Sequence, residues 1–351
     1  MLRKHFLALL IALCAVLPAA YTTPLRAQDN LAATPAADPD NIFENNKGAL
    51  EYDHSLPLNA ESTLVADTTY YTKYLVYYDS LNGERVPAFL FIPKPAINDY
   101  INGLEPDAQE RHLKRTIERQ GPPWPGMFFM HFLQSDKTLA DAFAPQFVMY
   151  GYAVLAIDGV FKGEREKPGR SILEYDPKAS VANIRQQVLD IRRGVDYMAT
   201  RPVDIDMSRM GYFGISMGAI TGTLAVSVDD RFQAVVLADG AADLALIYKK
   251  SDLPDMQEAI EKIQDQGYTM EEAFAILRAI DPLFYAPHIA PKPALLINGK
   301  YDELFPYEAM ENFHSAVSEP KAVRWFDSGH ILPINNVIIL TLKWFKTHLK
   351  G

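Results

Sequence analysis

A serine between two glycines is the strongest chemical signal in the sequence. The run Gly-Ile-Ser-Met-Gly occupies 214–218, between an apolar segment of strand length at 210–213 and a helix-like run at 219–228. A serine hydroxyl is a poor nucleophile, so it must project from a tight turn where a base can reach it, and flanking glycines permit such a turn. This strand-turn-helix context predicts that Ser216 is a nucleophile.

A nucleophilic serine needs a histidine to accept its proton and an acid to orient that histidine. Asp302 follows the apolar run 294–298, and His330 follows the apolar run 322–326. Both residues therefore lie in loops at the carboxyl ends of predicted strands, the edge where parallel sheets place their sites. The sequence predicts a triad of Ser216, Asp302 and His330.

Other residues are rivals for the acid and the base. Glu303 is adjacent to Asp302, while Asp239 and Asp243 follow the preceding predicted strand. The other histidines after the serine fall in helical patterns or lead into a buried strand, which favours ordinary core or surface roles. These histidines are His288, His314 and His348.

The oxyanion that forms on an attacked carbonyl requires two backbone N–H donors. Met217, directly after the nucleophile at a helix start, is the first predicted donor. We expect the second in the loop after the strand 126–132, from Leu133 with Phe132 as the alternative. His131 is interpreted as a structural hydrogen-bonding residue beneath the site. The ring of Phe132 is predicted to contact the substrate and to limit the length of its acyl group.

The elements that would position these residues alternate between strand and helix patterns. Apolar runs of strand length occur at 126–132, 153–158, 210–213, 234–238, 294–298 and 322–326. One long helix shows apolar residues at spacings of three and four: Val181, Ile184, Val188, Ile191, Val195 and Met198. This alternation predicts an α/β fold with a mostly parallel central sheet flanked by helices.

Three further segments complete the predicted domain, 47–351. The runs 70–78 and 85–92 predict a hairpin, and a polar insertion follows at 97–125. About fifty residues with helical periodicity, at about 241–290, are too many for a single crossover and predict a small helical lid.

The amino-terminal region predicts export. Residues 1–27 place basic residues before an apolar run and small residues after it, as in a signal peptide, and predict a secreted or periplasmic protein without stable membrane insertion after cleavage. Residues 28–46 are interpreted as a flexible linker. The net charge of −10 becomes about −13 without 1–27, which makes nucleic acid an improbable partner. The single cysteine, Cys14, lies within the signal segment, so we expect a mature chain without disulfides.

The chain resembles the α/β-hydrolase superfamily, and within it the dienelactone-hydrolase-like and acetyl-xylan-esterase-like branch. The resemblance spans 70–351 and is most specific at 190–197, 204–209 and 214–218, with further similarity at 151–158 and 163–165. It implies the same nucleophile, acid and base. Dienelactone hydrolases proper use cysteine where this chain has Ser216, and many relatives have His-Gly where this chain has His131-Phe132.

The resulting expectation is a serine hydrolase that cleaves small-molecule carboxylic esters, with short acyl groups preferred. We expect no cofactor and no metal, because metal-ligand spacings and nucleotide-binding glycine loops are missing from the sequence. A peptidase of the prolyl-oligopeptidase type is the alternative enzyme, although the segment before Tyr70 is too short for that type's accessory propeller. A non-catalytic binding protein of the same fold is the alternative outside enzymes. The sequence leaves the oligomeric state open.

Overall fold

The computed structural model describes residues 39–94, 121–251 and 253–349. The predicted signal peptide, the first part of the predicted linker and most of the polar insertion at 97–125 lie outside these residues. The described residues belong to one compact unit that begins at Asp38.

A single sheet of nine strands runs through the described part of the chain. The strands are β1 Glu61–Asp67, β2 Tyr71–Asp79, β3 Arg85–Pro93, β4 Trp124–Met130, β5 Ala153–Ile157, β6 Ile205–Ile215, β7 Phe232–Ala238, β8 Ala294–Gly299 and β9 Lys321–Phe326. Their order is β1-β2-β3-β5-β4-β6-β7-β8-β9. The pairs from β5 to β9 are parallel, while β1, β2, β3 and β5 pair antiparallel. The predicted mostly parallel sheet and hairpin are confirmed.

Helices cover both faces of this sheet. They are α1 Pro39–Lys47, α2 Ala140–Met149, α3 Pro177–Ala199, α4 Met217–Val228, α5 Leu244–Lys250, α6 Pro254–Asp265, α7 Met270–Leu277, α8 Tyr307–Ala316 and α9 Ile334–His348. Phe128 faces α3, where a Cβ at Gly194 would lie 2.7 Å from its ring. Phe129 packs instead in the cluster that includes α2 and α9. Successive residues of a strand point to opposite faces of the sheet. Helix α3 therefore covers one face, and α2 and α9 cover the other.

The sequence patterns do not predict strand β1 or helix α2. Strand β1 has exposed residues throughout except Ala66, because it lies at the edge of the sheet and buries neither face, so it has no apolar alternation. Helix α2 contains Pro145 and an almost uniformly apolar face, which hides helical periodicity.

The predicted flexible linker is wrong in its last part. Residues from Pro39 to Lys47 form α1, and Phe43 is buried, with its ring stacked on His288 at a centroid distance of 3.6 Å. Asn46 accepts a hydrogen bond from Arg185 at 2.7 Å. The polar composition concealed a helix that is held by tertiary contacts rather than by its own propensity.

The predicted helical insertion contains α5, α6 and α7, followed by short 3₁₀ turns. Thr269 and Glu272 form a reciprocal capping box at the start of α7, with the Glu272 N–H donating to Thr269 Oγ1 at 3.2 Å. The role of this segment as a lid stays a prediction. In the described part of the chain, no helix combines the length and hydropathy required to span a bilayer.

Candidate active site

Ser216 lies at the sharp turn from β6 into α4. Its φ is +53° and its ψ is −112°, a backbone conformation that residues with a side chain rarely adopt. The turn is fixed because the N–H of Ser216 donates to the carbonyl of Ala238 on the neighbouring strand β7 at 2.8 Å. The hydroxyl is therefore held at the carboxyl edge of the sheet, as the sequence pattern predicts.

The two flanking glycines are required by close backbone approaches. A Cβ on Gly218 would lie 2.3 Å from the carbonyl oxygen of Met130 and 2.9 Å from that of His131. A Cβ on Gly214 would lie 2.3 Å from the carbonyl oxygen of Gly218. The first turn of α4 can thus pack closely against the loop after β4. The segments that carry the two predicted oxyanion donors, Met217 and Leu133, therefore lie side by side.

The three residues of the predicted triad come together in the structure. His330 Nε2 lies 3.0 Å from Ser216 Oγ, and His330 Nδ1 lies 2.7 Å from Asp302 Oδ2. The Asp302 side chain is fully buried, while 14% of the His330 side chain is exposed. With Nδ1–H donating to the carboxylate, Nε2 is free to accept the serine proton.

The loop after β8 orients the acid. Asp302 Oδ1 accepts the N–H groups of Leu304 at 2.8 Å and Phe305 at 2.9 Å, which leaves Oδ2 to face the histidine. The adjacent rival, Glu303, accepts the backbone N–H of His330 at 2.9 Å. Glu303 therefore holds the histidine loop, whereas Asp302 faces the histidine ring.

The predicted oxyanion donors lie on adjoining segments. Met217 is the first residue of α4, where N–H groups have no partner within the helix. The loop bearing Leu133 is fixed through His131, whose Nδ1 lies 2.7 Å from the carbonyl of Phe132 and whose Nε2 accepts the Gly159 N–H at 3.1 Å. His131 is buried, and this burial lowers its pKa. This placement agrees with the interpretation of His131 as a structural residue.

Phe132 is half-buried and packs against the hydrophobic cluster that includes α2 and α9. Part of its ring is therefore committed to the core, and only the remainder is available to a substrate. Its predicted contact with the acyl group stays a prediction.

Asp239 is a member of this site that sequence reasoning ranked only as a remote rival for the acid. It follows β7 directly with φ +52°, is 3% exposed, and its Oδ1 has no hydrogen-bond partner among the described residues. Burial, and then the charges of Asp302 and Glu303, raise its pKa to about 9. The one signal in the sequence is an aspartate directly after a strand that neighbours the nucleophile strand.

The remaining rivals have other partners. His314 bonds to Asn298 at 2.8 Å, and burial followed by the charge of Lys321 lowers its pKa to about 4. Asp243 caps α5 by accepting the Leu246 N–H at 3.1 Å.

In the described part of the chain, three side chains that could bind a metal lie close together. An oxygen of Asp239, an oxygen of Asp302 and a ring nitrogen of His330 lie within 4.8 Å of one another. His330 Nδ1 is already hydrogen-bonded to Asp302, and Nε2 faces the serine. The donor set is thus that of an acid-histidine-serine relay rather than of a metal centre.

The fold is that of the α/β-hydrolase superfamily. The chain belongs to the prolyl oligopeptidase family, whose family model matches residues 144–350, more than half of the chain. The matched region includes the nucleophile turn and the loops of the predicted acid and base.

The chain spans about two to three fifths of the length of the curated relatives it matches. It is 24% identical over 189 residues to the putative hydrolase YtaP of Bacillus subtilis, covering 52% of this chain and 58% of that protein. It is 24% identical over 160 residues to the putative esterase YitV of the same organism, covering 41% and 59%. An uncharacterized Escherichia coli O157:H7 protein, YfhR, is 28% identical over 128 residues, covering 36% and 39%.

Solved structures of the same fold include two acetyl xylan esterases. The enzyme from Paenibacillus sp. R4 has a TM-score of 0.68 at 19% identity, covering 92% of this chain and 97% of its own. Acetyl xylan esterase 1 from Thermoanaerobacterium sp. JW/SL YS485 has a TM-score of 0.70 at 17% identity, covering 89% and 95%. At these identities the likeness shows the shared fold.

Proposed function

We propose that the protein is a serine-dependent carboxylic ester hydrolase. The observation that carries this proposal is the continuous contact from Ser216 Oγ through the His330 ring to Asp302, with steps of 3.0 and 2.7 Å. This is the geometry of nucleophile, general base and orienting acid. The Ser216 side chain lies at the carboxyl edge of the sheet, where a substrate can approach.

In the proposed mechanism, Ser216 Oγ attacks the ester carbonyl carbon while His330 Nε2 accepts the hydroxyl proton. The N–H groups of Met217 and Leu133 donate to the resulting oxyanion. The intermediate collapses, His330 protonates the leaving alcohol, and an acyl group remains on Ser216. Water then repeats the sequence and releases the acid. Asp302 holds the required tautomer and stabilises the imidazolium.

The substrate class we propose is a small-molecule ester with a short acyl group, such as acetyl. Phe132 stands beside the oxyanion segment, where a glycine would leave more room. A methylene that fits a pocket gains about 0.8 kcal/mol, but forcing one against a packed ring costs about 1 to 3 kcal/mol. The names of the structural neighbours, two acetyl xylan esterases, are consistent with this class.

A peptidase is the second candidate, and the family match favours it. Its chemistry would use the same three side chains on an amide bond. The discriminating measurement is turnover of matched esters and amides of one acyl group. The serine relay argues against a third candidate, a binding protein without turnover, because such a protein has no need of aligned proton-transfer groups.

Labelling with a fluorophosphonate probe tests the nucleophile, and a substrate panel tests the reaction. The panel contains aryl esters, acetylated sugars and peptides, with Ser216→Ala as the matched control. We expect labelling at Ser216 and turnover of acetyl esters. Labelling with hydrolysis of peptides alone would replace the esterase by the peptidase.

The acyl preference has its own test. Acetyl, butyryl and octanoyl esters of one alcohol are compared in the native protein and in Phe132→Gly, with the probe-labelling rate as a check that the nucleophile is intact. We expect Phe132→Gly to gain on octanoyl relative to acetyl. Equal rates for all three acyl groups in the native protein would contradict the role of Phe132.

We also propose that the protein acts outside the cytoplasm, on the basis of the basic and apolar pattern of residues 1–27. Amino-terminal sequencing of the protein recovered from its producing cells tests this. A mature terminus that still begins at Met1 would contradict it.

A further inference from the structure

Asp239 lies between the strands that carry the nucleophile and the acid. Strand β7 pairs on one side with β6, where Ile215 is opposite Ala238, and on the other side with β8. The Asp239 N–H donates to the carbonyl of Ile297 at 2.8 Å. The backbone of Asp239 is therefore fixed beside both catalytic loops.

The carboxyl group of Asp239 points toward the acid end of the relay. One of its oxygens, one of Asp302 and a ring nitrogen of His330 all lie within 4.8 Å of one another. Its Oδ1 is buried and without a hydrogen-bond partner among the described residues. A buried polar atom without a partner is unusual and calls for a reason, since the atom loses its hydrogen bonds to water on folding and gains none.

We propose that Asp239 is a second acid of this site, a positioning residue that takes the place of Asp302 beside Nδ1 of His330 when Asp302 is missing. The inference rests on the proposed function, because it concerns the same relay. In the native protein Asp302 occupies the place beside Nδ1, and Asp239 is a neutral carboxylic acid that does not compete for it.

Burial and neighbouring negative charges keep Asp239 neutral. Burial is the largest cause of the raised pKa of Asp239, about 9, followed by the charge of Asp302 and then that of Glu303. Replacing Asp302 by alanine removes the charge of Asp302 and vacates the volume of its carboxylate beside Asp239 and the histidine. Both changes lower the pKa of Asp239, so the group can ionise and accept the Nδ1–H bond directly or through one water.

The test compares Asp302→Ala with Asp302→Asn. Each variant is made once with the native Asp239 and once combined with Asp239→Asn. The readouts are the rate of fluorophosphonate labelling of Ser216 and kcat/KM for an acetyl ester. Asp302→Asn should lose about ten thousand-fold, because its amide imposes the wrong tautomer on the histidine. Asp302→Ala should lose less, since Asp239 then serves as the acid.

Adding Asp239→Asn to Asp302→Ala should cost a further factor of about 100, at the upper end of couplings between residues of one network. Adding Asp239→Asn to the native protein should change the rate only a few-fold. A purely structural role for Asp239 would lower the rate by the same factor in both backgrounds, and that result would overturn the proposal.

The pH profile supplies a second readout. The pH profiles of Asp302→Ala with and without Asp239→Asn should differ, because Asp302→Ala gains activity as Asp239 ionises, through a pKa below about 9, and the double variant lacks this gain. Asp302→Ala with Asp327→Asn is the matched control. Asp327 lies three residues before His330, and the side chain of Asp327 is 72% exposed. This control should keep the gain with pH.

Two outcomes of other kinds are distinguishable. If Asp302→Ala does not fold by circular dichroism, Asp302→Ser replaces it, because its hydroxyl can accept the N–H groups of Leu304 and Phe305. If the native protein is labelled at Ser216 but cleaves no ester, the esterase proposal fails while the labelling rates still decide the role of Asp239. Identical labelling rates for Asp302→Ala with and without Asp239→Asn would overturn it.

Discussion

Asp229, beside the end of α3, and Asp239, at the carboxyl edge of the sheet, are each 3% exposed but have opposite surroundings. Asp229 accepts hydrogen bonds from Arg231 at 2.6 and 2.8 Å and from Arg192 at 3.3 Å. Burial alone would raise its pKa, but the hydrogen bonds and charge of Arg231, then the charge of Arg192, outweigh burial and lower it. Among the described residues no cation pairs with Asp239, and its pKa is raised.

The contrast separates a structural use of buried charge from a chemical one. Next to α3, each carboxylate is paired, in a network that also joins Arg193 and Arg231 to Asp196. At the sheet edge, Asp302 is held by backbone N–H groups and by a histidine that must gain and lose a proton. A permanent cation there would compete for the carboxylate, so the proposed mechanism requires an acid that pairs with no cation.

Removing the nucleophile should have the largest effect. Ser216→Ala should lose turnover on the order of 10⁶-fold, as found when a serine is removed from a triad that acts as one unit. Its free energy of unfolding should fall by no more than about 1 kcal/mol, because the variant removes only a hydroxyl and its hydrogen bond with His330. Steady-state kinetics and urea unfolding measure the two quantities. Near-native turnover would mean that another residue is the nucleophile.

Removing the negative charge from the orienting acid should come next. Asp302→Asn should lower kcat/KM by about ten thousand-fold, whereas Glu303→Gln should be mild because Glu303 contacts only the backbone of His330. The two variants remove the same charge one residue apart, so each is the control for the other. The reverse order of effects would move the acid to Glu303.

Breaking the paired region should affect stability and not catalysis. Asp229→Ala should lower the free energy of unfolding by up to about 3 kcal/mol near neutral pH, because Arg192 and Arg231 lose the buried carboxylate that accepts their hydrogen bonds. Since the pKa of Asp229 is lowered in the folded protein, this loss should fade as pH falls through that pKa. Asp230→Ala is the control, because the Asp230 side chain is fully exposed and water screens its pair with Lys292.

The unpaired region should show the opposite sign of stability change. Between pH 3.8 and about pH 9, Asp239 is protonated in the folded protein and ionised in the unfolded chain. Its contribution to the free energy of unfolding therefore falls as pH rises, by up to about 1.4 kcal/mol per pH unit. Asp239→Asn lacks this slope and should become more stable relative to the native protein as pH rises. Urea unfolding at several pH values between 5 and 8 measures it. Parallel curves would show that Asp239 titrates normally.

The sequence by itself determined eight of the nine strands of the described sheet and the order of the proposed nucleophile, acid and base. Buried parallel strands are continuous apolar runs, so their ends, and the chemically active loops that follow them, can be read from local composition. Ser216, Asp302 and His330 each stand directly after or close to such an end, and the structure brings them into contact. The same local signal could not separate Asp302 from Glu303, because adjacent residues share it.

Only the tertiary structure decided what depends on distant contacts. Helix α1 looked like a linker because its order comes from Phe43 stacking on His288, far along the chain. Strand β1 buries neither face, so its sequence has no alternation to detect. Asp229 and Asp239 are the same residue type, but Asp229 lies beside arginines and Asp239 lies beside the carboxylate of Asp302. Their opposite pKa shifts follow from neighbours that packing supplies, and local sequence does not specify which charges will surround a buried acid.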